Sequence, residues 1–160
     1  MTAVRADPAD SHEVSNVRAT ASTVPWRPGV LIVDDDSAIR RLASLMLKQY
    51  FNVYEAADGN EAIDLLDRLA LPVLARHPIQ VVLLDIMMPG VDGLKLCHRI
   101  KNEFGTKVIM CTAVVDGRIV QEAARNGADD YIAKPFSSAT LLQKVAKQIR
   151  AMPELQSAGR

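Results

Sequence analysis

Ile79-Gln80-Val81-Val82-Leu83-Leu84-Asp85-Ile86-Met87-Met88-Pro89-Gly90-Val91-Asp92-Gly93 is the stretch that decides the fold. Its apolar core, Val81 to Leu84, is continuous rather than alternating. That suits a strand covered on both faces, as in a parallel sheet. The strand is predicted from Ile79 to Leu84 and ends in Asp85. Met88-Pro89-Gly90 then breaks the chain, and a helix follows from about Asp92 to Phe104.

The same unit recurs on both sides. Upstream, Val30-Leu31-Ile32-Val33 ends in Asp34-Asp35-Asp36. A helix is predicted from about Ser37 to Tyr50, with Ile39, Leu42, Ala43 and Met46 as its apolar stripe and Ser37 or Asp36 as its cap. A second strand, Phe51 to Ala56, turns at Asp58-Gly59 into a helix from about Asn60 to Leu69. Downstream, Lys107 to Cys111 is a strand ending at Thr112, and a helix from about Gly117 to Asn126 is stopped by Gly127. Tyr131 to Ala133 is a short fifth strand ending at Lys134-Pro135. The last helix runs from about Ser138 to Met152 on a stripe of Leu141, Leu142, Val145 and Ile149. Five strands alternating with five helices predict an α/β domain built on a doubly wound parallel sheet, over residues 29–152.

Outside that domain, residues 1–28 carry Thr, Ser, Ala, Asp and three prolines without any apolar period. They read as a disordered N-terminal extension, and residues 153–160 as a C-terminal tail. Residues 70–78 are too apolar for a solvated loop and predict an extra helical turn or a packed loop.

Of the 160 residues, 49% are apolar and 24% charged, enough for one sizeable core. Nineteen basic residues balance nineteen acidic ones, so the charge gives no reason to expect nucleic acid or an anionic membrane as partner. No apolar run reaches the ~18–20 residues of a membrane span. Asp7, Asp10 and Glu13 stand where a secretory signal needs an apolar stretch, and the expected location is the cytoplasm. Cys97 and Cys111 form neither a metal-type pair nor a disulfide framework and read as buried thiols.

In open α/β sheets ligands bind beyond the carboxyl ends of the strands. Here those ends carry Asp34-Asp35-Asp36, Asp85, Thr112-Ala113 and Lys134-Pro135. Carboxylates gathered in one cleft raise one another's pKa unless a cation joins them, and an open carboxylate cluster with water suits Mg²⁺. The Thr112 hydroxyl and the Lys134 ammonium add donors for an anion with several oxygens, such as a phosphoryl group. Asp85 stands alone at the end of the central strand and is the candidate nucleophile, giving an aspartyl phosphate.

In these residues the sequence resembles the receiver domain of two-component response regulators. The matching segments are residues 30–41, 81–93, 109–113 and 129–136, each at a strand end, within a resemblance that covers about residues 29–152. The resemblance is to the stand-alone, chemotaxis-regulator-like type. It implies a flavodoxin-like sheet of strand order 2-1-3-4-5. It implies Asp85 as phosphoacceptor, Asp35 as a direct Mg²⁺ ligand, Asp34 as a ligand through water, and Asp85 and the backbone carbonyl of Met87 as the remaining protein ligands. It further implies Thr112 as the switch hydroxyl, Lys134 as the partner of a phosphoryl oxygen, Tyr131 as the aromatic switch residue and a cis bond to Pro135. Met87 and Val114, two positions beyond Asp85 and Thr112, would flank the water that ends the phosphorylated state.

The implied partners are a histidine kinase or histidine phosphotransfer protein, an unidentified downstream protein, and a second copy of the chain in a phosphorylation-dependent homodimer, with no nucleic acid and no membrane. No enzymatic activity is implied beyond the domain's own phosphorylation and dephosphorylation. Asp35 and Asp85 are separated by a longer stretch than a typical receiver has, and the excess falls in residues 70–78.

Several residues near the motifs have plainer readings. Asp36, Asp58 and Asp92 read as helix caps, Gly90 and Gly93 as shapers of the loop around Asp85, and Arg40-Arg41 as a solvated helix face. Two alternatives compete with the switch. One is a haloacid dehalogenase-like phosphatase, because Asp34-x-Asp36 resembles its nucleophile motif; Ala38 stands where that family has Thr or Val, and no cap domain is present. The other is a binding module that works without phosphorylation.

Overall fold

The computed structural model describes residues 27–70, 78–113 and 116–150. Most of the 1–28 extension, nearly all of the 70–78 segment, Val114 and the tail lie outside the described residues. Strands β1 (Gly29–Val33), β2 (Asn52–Ala56) and β3 (Ile79–Asp85) alternate with helices α1 (Ser37–Leu47) and α2 (Gly59–Leu69). A two-rung ladder of β4 (Met87–Met88) and β5 (Val91–Asp92) comes next, then α3 (Gly93–Phe104), β6 (Lys107–Thr112), α4 (Gly117–Arg125), β7 (Asp130–Ala133) and α5 (Ser138–Arg150).

The main sheet is parallel throughout, in the order β2-β1-β3-β6-β7. With the small ladder set aside, that is the 2-1-3-4-5 order implied by the family resemblance. The ladder itself is an addition: Pro89-Gly90, with Gly90 at φ 71°, turns the chain so that Met87 and Met88 pair with Asp92 and Val91. A glycine suits that left-handed backbone.

Period-two alternation splits the strands between two cores. Leu31, Val33, Val82, Leu84, Val108 and Met110 pack with Ile63, Leu66, Leu96 and Ile100 of α2 and α3. Val30, Ile32, Val81, Leu83, Ile109 and Ile132 pack with Ala43 and Leu47 of α1 and with Leu141, Val145 and Ile149 of α5. All seven residues of β3 are buried, as its unbroken apolar run requires.

Helix starts follow the aspartates. Asp36 accepts from the backbone N–H groups of Ala38 and Ile39, Asp58 from those of Asn60 and Glu61, and Asp92 from those of Leu94 and Lys95. Glu61 also reaches back to accept from the N–H of Ala57, the residue before the cap, at 2.8 Å. Each cap is worth about 1 kcal/mol. Helix α3 stops at Gly105, with φ 63°, and Gly127, with φ 90°, follows α4.

The α1 stripe needs correcting. The helix ends at Leu47 rather than Tyr50, and its buried residues are Ala43 and Leu47. Leu42, expected in the stripe, is 50% exposed. The i, i+4 pair of Ala43 and Leu47 sets the angle of the helix on the sheet and turns Leu42 to its flank. Both cysteines are buried and unpaired as disulfides, as read from the sequence.

Candidate functional site

Alternation also explains why the charged residues meet. Asp34 continues the phase of Val30 and Ile32, Asp85 that of Val81 and Leu83, and Lys134 that of Ile132, all on the α1–α5 side of the sheet. The register pairs Val33 with Leu84, Asp85 with Cys111 and Thr112 with Ala133, so the strands end in a staggered row. The Lys134 ammonium is 2.5 Å from Asp34 Oδ2 and 3.2 Å from Asp85 Oδ2. Both carboxylates are buried.

Each of these two carboxylates is held on its other side as well. Asp34 Oδ1 accepts from the Asp36 N–H at 2.9 Å, and Asp85 Oδ1 from the Met87 N–H at 3.2 Å. Carboxylate oxygens of Asp34, Asp35 and Asp85 lie within 4.8 Å of one another. Asp35 is the exposed member. Among the described residues no hydrogen bond or ion pair holds its carboxylate.

Burial raises the Asp85 carboxyl above the usual carboxylate range, and the charge of Asp34 adds to the rise; the Met87 N–H and Lys134 oppose it. For Lys134 burial alone would lower the pKa, but the hydrogen bond to Asp34 and the charges of Asp85 and Asp34 carry it above its ordinary value. Both directions express one fact. Three carboxylates face one ammonium, so the cluster has room for further positive charge. Oxygen donors alone, two of them buried and one open to water, fit Mg²⁺.

Thr112 is the last residue of β6 and is buried, and its carbonyl accepts from the Lys134 N–H at 2.8 Å. The same strand end thus anchors Lys134, whose bond to Pro135 is cis. Tyr131 lies on β7, 39% exposed. The Lys144 ammonium is 5.3 Å from its ring centroid and also binds Asp130 at 2.7 Å. Met87 is 72% exposed although its neighbour Met88 is buried. Val114 lies outside the described residues.

Gly93 bears on the site directly. A Cβ there would come within 2.5 Å of the Asp85 carbonyl oxygen and 2.8 Å of Ile86 Cα, so only glycine lets α3 start this close to Asp85. Burial pushes the Cys111 thiol, which pairs with Asp85 in the register, up to about 12. It is no competing nucleophile.

One residue differs from its sequence reading. Arg40 is not a solvated helix face: its side chain is 17% exposed, and its guanidinium Nη1 donates to the carbonyls of Asp34 and Asp35. No local pattern announces this, since the partners are backbone groups and any sequence supplies those.

A parallel sheet whose carboxyl end gathers an acid cluster, a buried threonine and an inward lysine is the site architecture of a receiver-type α/β domain. The chain belongs to the response regulator receiver domain family, whose model matches residues 30–146. A response regulator from Thermotoga maritima is 34% identical, with a TM-score of 0.69 over 78% of this chain and 99% of that one. The chemotaxis protein CheY4 of Vibrio cholerae is 27% identical, with a TM-score of 0.68 over 76% of this chain and 98% of that one. The BeF₃-activated receiver domain of DrrB, from Thermotoga maritima, is 31% identical, with a TM-score of 0.66 over 78% of this chain and 98% of that one. Receiver domains are signalling switches that interact with histidine kinases or phosphotransfer proteins and typically bind Mg²⁺ at an acidic pocket; in this chain Asp34, Asp35 and Asp85 form an acidic cluster at the strand ends. No helix among the described residues is long and apolar enough to cross a membrane.

Proposed function

We propose that this protein is a Mg²⁺-dependent switch that accepts a phosphoryl group on Asp85 from a histidine kinase or phosphotransfer protein and signals through protein contact. The observation that carries the reading is the convergence of Lys134 on Asp34 and Asp85, at 2.5 and 3.2 Å, in a cluster that three carboxylates leave short of positive charge.

In this reading an Asp85 carboxylate oxygen attacks phosphorus while the bond from phosphorus to the donor imidazole breaks. The Met87 N–H, on Asp85 Oδ1, holds the carboxylate in one orientation. Lys134 moves from its two carboxylates onto a phosphoryl oxygen, and the Thr112 hydroxyl donates to another. Asp35 directly, Asp34 through water, Asp85 and the Met87 carbonyl would hold Mg²⁺, which when bound neutralises charge on the phosphoryl oxygens. Off-switching depends on water reaching phosphorus past Met87 and Val114.

The output side of the reading is local. Drawing Thr112 toward the phosphoryl group changes the end of β6, to which Lys134 is bonded. Tyr131 lies on the neighbouring strand and is held from outside by Lys144. A charge event at Asp85 thus biases the face of β7 and α5 for a downstream protein or a second copy of the chain.

Intact mass after incubation with acetyl phosphate and Mg²⁺ tests the proposal. A gain of one phosphoryl group, absent without Mg²⁺, is expected. No gain in either condition would favour a phosphorylation-independent module, and sustained turnover of p-nitrophenyl phosphate would favour a phosphatase.

A further inference from the structure

The geometry points to Arg40 as a positioning residue of the metal site, a backbone clamp that holds the Asp35 carboxylate where it can bind Mg²⁺. The inference rests on the Mg²⁺ reading of the acid cluster. Three carboxylates form that cluster, and two are fixed through their own oxygens. Asp34 has Lys134 and the Asp36 N–H; Asp85 has Lys134 and the Met87 N–H. Asp35 is exposed, and among the described residues its carboxylate has no such partner. What the fold fixes of it is the Cα–Cβ direction, through the backbone on either side.

Arg40 grips that backbone. Its Nη1 donates to the carbonyl of Asp34 at 2.6 Å and to that of Asp35 at 3.1 Å, which are the peptides on either side of the Asp35 Cα. Fixing both peptides fixes the Cα–Cβ direction between them. Helix geometry makes the reach possible, because side chains in the first turns of a helix lean toward its N-terminus. The Asp36 cap, with bonds of 2.8 and 3.3 Å to Ala38 and Ile39, locks the start of α1 against the same loop. Glu55 of β2 is 3.9 Å from Arg40 Nε and takes part in neither carbonyl bond, so it neighbours the guanidinium without belonging to the clamp. A ligand whose direction is preset loses less freedom on binding metal, and such supporting contacts raise affinity.

Charge alone predicts the opposite sign. A guanidinium near a cation site repels Mg²⁺, so its removal would tighten binding if electrostatics governed. The clamp predicts weaker binding when it is removed. That difference in sign separates the two accounts.

The experiment is calorimetric titration of Mg²⁺ into the full chain and into Arg40→Met, Arg40→Lys and Glu55→Gln, with unfolding by urea measured in parallel. Methionine keeps the packing of the arginine stem and removes the donors. The dissociation constant of Arg40→Met should rise about tenfold. Arg40→Lys should fall between it and wild type, because one ammonium keeps the charge without the reach of the guanidinium. Glu55→Gln, which leaves both carbonyl bonds, should bind as wild type does. Labelling of Arg40→Met by acetyl phosphate should recover at saturating Mg²⁺. Arg40→Met binding Mg²⁺ as tightly as wild type or more tightly, or Arg40→Lys restoring wild-type affinity in full, would overturn the clamp, whatever happens to folding stability. Wild type failing to bind Mg²⁺ would overturn the metal reading together with the clamp, and is distinguished by appearing before any variant is compared.

Discussion

Asp85 and Asp129 sit at opposite ends of the same parallel sheet, both largely withdrawn from water, and their carboxyls shift in opposite directions. At the carboxyl end of β3, Asp85 shares one lysine with Asp34, and burial carries its pKa upward. At the amino ends of β6 and β7, Asp129 has two lysines to itself, Lys101 at 2.7 Å and Lys107 at 2.9 Å, plus the Val108 N–H at 2.9 Å. Burial is the largest single influence there too and pushes upward, but those three donors outweigh it and hold the Asp129 carboxyl below its ordinary value. Burial therefore does not separate a working carboxylate from a structural one. The balance of charge around it does. Asp129 is satisfied and ties α3, β6 and β7 together. The Asp85 cluster is short of positive charge, the imbalance that the proposed metal and phosphoryl roles call for.

The largest expected effect breaks the comparison at its reactive end. Asp85→Asn should abolish labelling by acetyl phosphate completely, because the amide is no nucleophile, and it should leave the fold intact. Intact mass and circular dichroism check this, and continued stoichiometric labelling would reject Asp85 as the acceptor. Asp129→Asn should do the reverse. Labelling should persist while stability falls by about 2 kcal/mol, the cost of weakening charge-assisted bonds to two lysines that are themselves partly solvated. A loss of labelling at full stability would show that the far end of the sheet takes part in the chemistry.

The pH dependence sharpens the same contrast, because the two aspartates couple to folding with opposite signs. A carboxyl held above its ordinary 3.8 binds its proton more tightly in the folded state, so ionised Asp85 subtracts stability at neutral pH, and the deficit closes as pH falls through the raised value to 3.8. Asp129 is held below 3.8; its contribution is complete above 3.8 and is lost as pH falls through the depressed value. Without Mg²⁺, Asp85→Asn should thus unfold at higher urea than wild type at neutral pH, and Asp129→Asn at lower urea. The Asp85→Asn gain should close by the time pH reaches 3.8, and the Asp129→Asn deficit only below it. Differences of the same sign at neutral pH would dissolve the distinction between the two ends.

How far the sequence carries depends on the kind of partner each residue has. The strand ends are legible because continuous apolar runs locate buried strands, and whatever polar residue follows must stand at the sheet's edge. The caps Asp36, Asp58 and Asp92 are legible because their partners are two or three residues away. Asp129 is not, since its lysines lie 28 and 22 positions off, and only the folded chain brings them together. Arg40 fails for a different reason: it binds carbonyl oxygens, which leave no mark in a sequence. The rungs of β4 and β5 escape because Met-Met-Pro-Gly-Val-Asp has no alternation to signal a strand. Leu42 misleads because Ala43 can be grouped with Leu42 or with Leu47, and packing against the sheet buries Ala43 and Leu47.

A smaller effect divides the acid run itself into a reactive and a structural part. Asp36→Ala removes a cap with two backbone bonds and should cost about 1 kcal/mol of stability with little change in Mg²⁺ affinity. Asp35→Ala should leave stability nearly unchanged and weaken Mg²⁺ binding. Paired urea and calorimetric titrations distinguish them, and equal losses of Mg²⁺ affinity in both variants would contradict the assignment of Asp35 as the direct ligand.

The smallest expected effect concerns how long the reactive end stays charged with phosphate. Met87 is tied to Asp85 through its backbone N–H at 3.2 Å while its side chain is 72% exposed. If Asp85 is the acceptor, this apolar side chain can cover the approach of water but cannot orient it, because a thioether is at best a weak acceptor. Autodephosphorylation should then be slow, with the off-step left to a partner or to transfer back to the donor. Met87→Asn keeps the backbone bond and supplies an amide that can both donate to and accept from an incoming water, aligning it with the bond that breaks. One such contact is worth roughly 1 kcal/mol, so the phosphorylated lifetime should shorten about fivefold. Decay of the phosphorylated mass after removal of acetyl phosphate measures it. Wild-type decay within seconds, or a variant no faster than wild type, would mean that access of water at Asp85 is controlled from elsewhere, and that the exposure of Met87 is incidental to the site it flanks.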